Sequence, residues 1–75
     1  MKVTDHLTPE EKKMVLEYAR TGMRLRETAR NLFMTHRTLL VCFDSIYKKT
    51  LLSPRKFKDL VELVNMLEED DDSAS

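Results

Sequence analysis

The sequence of this chain predicts a small all-α domain built from four helices. In four segments, apolar residues recur at intervals of three and four, as on the buried side of a helix. Two segments begin with a hydroxyl residue followed by proline, Thr8-Pro9 and Ser53-Pro54, a pair that favours a helix start. No segment alternates polar and apolar residues in the manner of a half-buried strand. With 75 residues, the chain can form one domain with a small core.

The first helix is predicted from Pro9 to about Thr21. Thr8 can cap its start, and Glu11 stands at the position that completes a capping box. Gly22, the single glycine of the chain, marks its end. The apolar side of this helix is expected to consist of Met14, Val15, Tyr18 and Ala19.

The second helix is predicted to be short, from about Arg26 to Phe33. Its start is less well specified, because Arg26 stands where a capping serine or aspartate would be better. Small Ala29 suits close packing at a helix crossing. The apolar side is expected to consist of Leu25, Ala29, Leu32 and Phe33.

Thr35 is a good cap for a third helix, predicted from His36 to about Lys49. Its buried side is expected to consist of Leu39, Phe43, Ile46 and Thr50. At about 100° per residue, the opposite face carries Arg37, Val41, Asp44, Ser45 and Lys48. The buried side is flanked by Leu40, Cys42 and Tyr47.

The fourth helix is predicted to start at Ser53-Pro54 and to end near Glu69. Its apolar face is expected to consist of Phe57, Leu60, Val61, Val64 and Leu67, with Leu63 beside them. The residues after it are acidic or small, a composition typical of disorder. The chain is therefore divided into a folded domain, residues 1–69, and a disordered acidic tail, residues 70–75.

The formal net charge is zero, but the charges are unevenly placed. Between Arg20 and Lys58 there are ten basic residues against two acidic ones, a balance of +8, whereas the last eight residues hold five acids. A basic segment of this kind suggests a surface for a polyanion, although uneven charge also fits an ordinary solvated surface. The single cysteine, Cys42, excludes an internal disulfide, and no apolar run approaches the length of a membrane helix. A cytoplasmic location without membrane attachment is expected.

The order of a short helix, a turn and a helix opening with Thr35, His36 and Arg37 is that of a helix-turn-helix that binds double-stranded DNA. Arg37 can form two hydrogen bonds with guanine, and Val41 can contact thymine methyl groups or belong to a protein interface. The expected base contacts are His36, Arg37, Thr38 and Val41. The expected phosphate contacts are Arg24, Arg26, Arg30, Thr35, Lys48, Arg55 and Lys56.

Some of the expected phosphate contacts also have structural interpretations. Thr35 is the predicted cap of the third helix, and Lys48 complements the dipole at the end of that helix. Arg55 and Lys56 lie at the predicted start of the fourth helix, where cations are unfavourable unless an anion binds there.

Residues 7–67 resemble the C-terminal helix-turn-helix domain of PucR/CdaR-type bacterial transcription regulators. The matching positions are Glu27-Thr28-Ala29-Arg30-Asn31-Leu32-Phe33, Thr38-Leu39, Phe43, Ile46, Lys49-Thr50, Leu52, Pro54, Phe57, Asp59 and Leu63. The resemblance implies a small stand-alone bacterial regulator whose helix pair binds DNA. Thr35-His36-Arg37-Thr38-Leu39 stands where the family usually has His-Arg-Asn-Thr-Leu, and Leu51 stands where it usually has glycine.

These observations predict a sequence-specific, double-stranded DNA-binding transcription regulator with the third helix as recognition helix. One such unit buries little surface, so a homodimer or a larger regulator is an expected partner. The alternative is a protein-interaction module that docks a larger regulator through Leu40, Val41 and Tyr47 without binding DNA. No arrangement of residues suggests an enzyme, a metal site or a cofactor.

Overall fold

The computed structural model describes the backbone of residues 6–74 and the side chains of residues 6–68. In this part of the chain, four helices follow one another without a strand: α1 (Pro9–Arg20), α2 (Leu25–Asn31), α3 (His36–Thr50) and α4 (Phe57–Ala74). The all-α prediction is confirmed. Helix α1 packs against each of the other three helices, and α2 packs against α3.

Helix α1 begins with the predicted capping box. Thr8 Oγ1 accepts from the Glu11 amide at 3.1 Å, and Glu11 Oε1 accepts from the Thr8 amide at 2.9 Å. The helix ends in a Schellman motif, in which Gly22 has φ 76° and the Met23 amide donates to the Tyr18 carbonyl at 2.9 Å. Its predicted bounds are correct to within one residue.

Helix α2 begins one residue earlier and ends two residues earlier than predicted, and the assignment of Phe33 to its buried side is wrong. Phe33 follows the helix with φ 58° and is 97% exposed. The amides of Phe33 and Met34 donate to the carbonyls of Arg30 and Ala29, at 3.1 and 2.9 Å, which closes a second Schellman motif. Phe33 occupies the left-handed position of that motif, so its side chain leaves the helix face to which the periodicity assigned it.

Helix α3 has the predicted buried side, because Leu39, Phe43, Ile46 and Thr50 are all buried. The ring of Phe43 meets that of Tyr18 from α1 edge-on, with centroids 4.9 Å apart. Leu51 ends the helix with φ 61°, in the left-handed conformation that glycine adopts most easily.

Helix α4 starts at Phe57, three residues after the predicted start at Pro54. The buried Pro54 belongs to a turn that the Lys56 amide closes onto the Ser53 carbonyl at 3.0 Å. Asp59 Oδ2 accepts from the Ser53 amide at 3.0 Å and holds this turn against the helix. The Ser53-Pro54 pair therefore begins a turn and not the helix.

The buried side of α4 consists of Leu60, Leu63 and Leu67. Phe57 and Val61, both predicted to be buried, are exposed, so the buried side is rotated from the predicted face. The helix reaches Ala74, beyond the predicted end near Glu69. The predicted disordered tail, residues 70–75, lies outside the residues whose side chains are described, and it stays a prediction together with the division at residue 69.

Glu11 is a buried carboxylate that joins two helices. In addition to its capping bond, its Oε1 accepts from Lys49 Nζ of α3 at 2.7 Å. Burial alone would raise the pKa of Glu11. The hydrogen bonds from Lys49 and the Thr8 backbone, together with the charge of Lys49, outweigh burial, so the pKa lies below its ordinary value.

The lowered pKa of Glu11 predicts a pH-dependent contribution to stability. The contribution is present above the ordinary carboxyl pKa of 4.5 and is lost as the pH falls through the lowered value. We expect Glu11→Gln to reduce the free energy of unfolding by about 1–3 kcal/mol at neutral pH. Urea denaturation should show this difference shrinking below pH 4.5. Glu62→Gln, at an exposed position, should cost less than about 0.5 kcal/mol. A difference for Glu11→Gln that is constant with pH would contradict the assignment.

The two Schellman motifs predict opposite effects for substitutions at equivalent positions. We expect Gly22→Ala to destabilise the protein by about 1 kcal/mol through backbone strain alone, because a Cβ there would meet no atom within 4 Å. Phe33→Gly should stabilise it by about the same amount, since the exposed ring contributes little packing. Thermal denaturation measures both changes, and a loss of stability in Phe33→Gly would contradict this account.

Candidate nucleic-acid interface

The four predicted base-contacting residues lie on the exposed surface of α3. The first three, His36, Arg37 and Thr38, form its first turn, and Val41 lies one turn further along. The neighbouring Leu39 is fully buried and anchors this end of the helix in the core. The structure thus presents the four side chains along a supported helix start.

The start of α3 is closed by two threonines. Thr35 Oγ1 accepts from the Thr38 amide at 3.2 Å and lies 3.0 Å from Thr38 Oγ1. One hydroxyl proton is used between the two oxygens, because either can donate to the other. The second hydroxyl proton of the pair remains able to donate to an outside acceptor such as a phosphate oxygen.

The centre of the exposed face of α3 is a row formed by Arg37, Val41, Asp44 and Lys48, which are three or four residues apart. Lys48 Nζ lies 3.2 Å from Asp44 Oδ2. Asp44 therefore offsets the charge of one predicted phosphate ligand. The positive charge of the row is concentrated at Arg37, near the beginning of the helix.

All seven predicted phosphate ligands are exposed. Arg24 Nη1 lies 3.5 Å from Glu27 Oε2, and Lys48 forms an ion pair with Asp44. Both pairs are on the surface, where an ion pair contributes little and a phosphate can replace the carboxylate. Within residues 6–68, no carboxylate pairs with the other five side chains, which are Arg26, Arg30, Thr35, Arg55 and Lys56.

Helix α2 is held by polar contacts that the sequence did not indicate. Thr28 is fully buried, and its Oγ1 donates to the Arg24 carbonyl at 2.7 Å and lies 2.8 Å from Thr21 Oγ1. At the other end, Asn31 Nδ2 donates to Glu17 Oε2 of α1 at 2.9 Å. A threonine in a mostly polar helix carries no sequence signal of burial. The contacts of Thr28 that position α2 are therefore visible in the structure and not in the sequence.

The prediction that Arg55 and Lys56 lie at the start of α4 is wrong. Both residues lie in the turn before the helix, which begins at Phe57. They line a hollow of about 380 Å³ together with Leu40, Asp44 and Tyr47 of α3. Two of the three residues predicted to dock a protein, Leu40 and Tyr47, thus share this hollow with the two cations. Val41 does not line it.

Cys42, the single cysteine of the chain, lies half-buried on α3. Burial raises the pKa of the half-buried Cys42 thiol, with smaller contributions from Glu11 and Glu10, and this disfavours the reactive thiolate. Within the described part of the chain, no three His, Cys, Asp or Glu side chains are placed to hold a metal ion. None of the described helices has the length and apolar character to cross a bilayer.

In comparisons with protein-family models, with curated proteins and with solved structures, nothing matches this chain.

Proposed function

We propose that this chain is a sequence-specific, double-stranded DNA-binding transcription regulator in which α2 and α3 form a helix-turn-helix. The observation that carries the proposal is the exposed first turn of α3, where His36, Arg37 and Thr38 follow a capped helix start. Arg26 and Arg30 are exposed on the preceding helix, which crosses the phosphate backbone in this motif. The resemblance to PucR/CdaR-type regulators supports the same proposal.

In the proposed complex, the N-terminal half of α3 enters the major groove. Arg37 forms two hydrogen bonds with guanine, and Val41 contacts a thymine methyl group. Asp44, further along the same row, would repel phosphate but can accept from the amino group of cytosine. Arg37, Val41 and Asp44 therefore offer three chemically distinct contacts to bases, as sequence-specific binding requires.

Phosphate contacts would position the protein on the duplex. Arg26 and Arg30 extend from α2, the free hydroxyl proton of the Thr35–Thr38 pair lies at the start of α3, and Arg55 and Lys56 lie beyond the far edge of α3. Arg24 and Lys48 exchange surface carboxylates for phosphates. Each cation that binds a phosphate releases counterions from the DNA. The affinity therefore depends strongly on salt concentration.

A second candidate function is a protein-interaction module that docks a larger regulator. It is favoured by the hollow beside Leu40 and Tyr47 and by the exposed Phe33, whose aromatic ring is held out from the turn between α2 and α3. Binding of this kind would not require DNA. Binding to random duplex DNA at low ionic strength therefore separates the two functions.

The phosphate contacts predict a steep salt dependence. We expect the logarithm of the affinity for random duplex DNA to fall linearly with the logarithm of salt concentration. Arg26→Ala combined with Arg30→Ala should reduce the slope by about 2, or about 1 per lost contact. Lys13→Ala, which removes one exposed cation of α1, is the control for a cation outside the predicted contacts and should leave the slope unchanged. The absence of binding at low salt would overturn the DNA-binding proposal.

The role of Arg37 predicts a difference between two substitutions. Once a preferred sequence has been selected from a random DNA pool, we expect Arg37→Ala to weaken specific binding by about 1–3 kcal/mol. Arg37→Lys should restore it only in part, because lysine keeps the charge but lacks the planar fork with which arginine binds guanine. Titration of labelled duplexes measures both. Full recovery in Arg37→Lys would instead identify Arg37 as a phosphate ligand.

A further inference from the structure

Helix α4 leaves part of its apolar surface uncovered. Phe57 and Val61 are 70% and 41% exposed, and they lie on the same side of the helix as the half-buried Val64. With Ala19 of α1 and Met23 of the turn that follows this helix, they line a largely apolar groove of about 470 Å³. An exposed apolar surface of this kind is typical of a protein interface.

The exposed cation of α4 lies near its start, whereas the exposed acids Glu62 and Glu68 lie further along the helix. Asp59, in the first turn, is half-buried and accepts from the Ser53 amide. Lys58 is exposed in the first turn, and Glu68 is exposed ten residues later. At about 100° per residue, Glu68 lies in line with Phe57 and Val61, and Lys58 lies about 80° to one side of that line. The sequence adds Arg55 and Lys56 before the helix and four more acids after Glu68.

We propose that this groove binds a second copy of the chain, with the two α4 helices antiparallel about a two-fold axis. A symmetric dimer uses the same surface on both protomers, so each groove residue must meet a complementary one. If the axis passes midway between the levels of Val61 and Asn65, Val61 of each protomer lies level with Asn65 of the other. Lys58 of each protomer then faces Glu68 of the other. A parallel arrangement would instead place like charges together.

The inference does not rest on DNA binding, because the groove residues are not among the proposed DNA contacts. It assigns the dimer to α4 and the end of α1, and so leaves the exposed face of α3 to other partners. The charges of α4 also favour a second copy of the chain as the partner that binds the groove. The chain itself supplies both signs of charge on one helix, with the apolar residues between them.

The first test compares two exposed valines. Sedimentation of the whole chain, measured without DNA from micromolar to millimolar concentration, should show a monomer–dimer equilibrium. We expect Val61→Glu to weaken the dimer at least tenfold. Val41→Glu, which makes the same change on α3, should leave it unaltered. Circular dichroism confirms that each variant is folded. A wild-type chain that stays monomeric, or a dimer lost in Val41→Glu and kept in Val61→Glu, would overturn the proposal.

The second test examines the antiparallel register through charge reversal. Lys58→Glu and Glu68→Lys should each weaken self-association, because each places like charges at both symmetry-related contacts. An equimolar mixture of the two variants should dimerise at least as well as the wild type, since both contacts again join opposite charges. The double variant should recover self-association for the same reason. A mixture no stronger than its components would exclude this register, and neither test depends on the outcome of the DNA titration.

Discussion

The structure depends on the satisfaction of one buried carboxylate, that of Glu11. A buried negative charge is costly unless it receives hydrogen bonds and a countercharge, and here the Thr8 amide and Lys49 provide both. One contact defines the start of α1 and the other fixes the last turn of α3 against it. Because α1 packs against every other helix, the placement of its start constrains the whole domain. Lys49, in the last turn of α3, therefore helps to fix the orientation of the exposed face of this helix, although Lys49 is not one of the residues predicted to bind DNA.

The polar contacts of α2 complete this arrangement. The Thr21–Thr28 pair and the Asn31–Glu17 bond link α2 to α1, and Ala29 is buried in the core. None of these contacts uses a cation of α2. Structural hydrogen bonds and surface charges are thus carried by different residues on the same short helix, which leaves Arg26 and Arg30 able to bind an anion without disturbing the packing.

Much of this fold could be predicted because its signals are local. The Thr8–Glu11 capping box and the Thr35 cap depend on spacing within one turn, and the buried side of α3 follows a regular period. The predictions fail where a local backbone motif or tertiary packing overrides the apolar periodicity. The periodicity places Phe33 on the buried side of α2, but its left-handed backbone in the Schellman motif directs the side chain to solvent. Pro54 is buried in a turn before α4 instead of beginning the helix. The face of α4 was misjudged because Phe57 and Leu60 are equally apolar in sequence, and only the packing of α1 distinguishes them. At the candidate site, the exposure of α3 and the i,i+4 pairing of Asp44 with Lys48 are predictable from the sequence, whereas the buried contacts of Thr28 are not.

The position of Cys42 has a practical consequence for observing motion. It is the single thiol of the chain, it is half-buried on α3, and its raised pKa keeps it mostly protonated near neutrality. A thiol reagent should therefore react slowly with Cys42 in the folded structure, and faster when α1 moves away from α3. The native chain thus contains its own probe of local opening, and the labelling rate at Cys42 can follow how binding of any partner tightens or loosens the helix on which it acts.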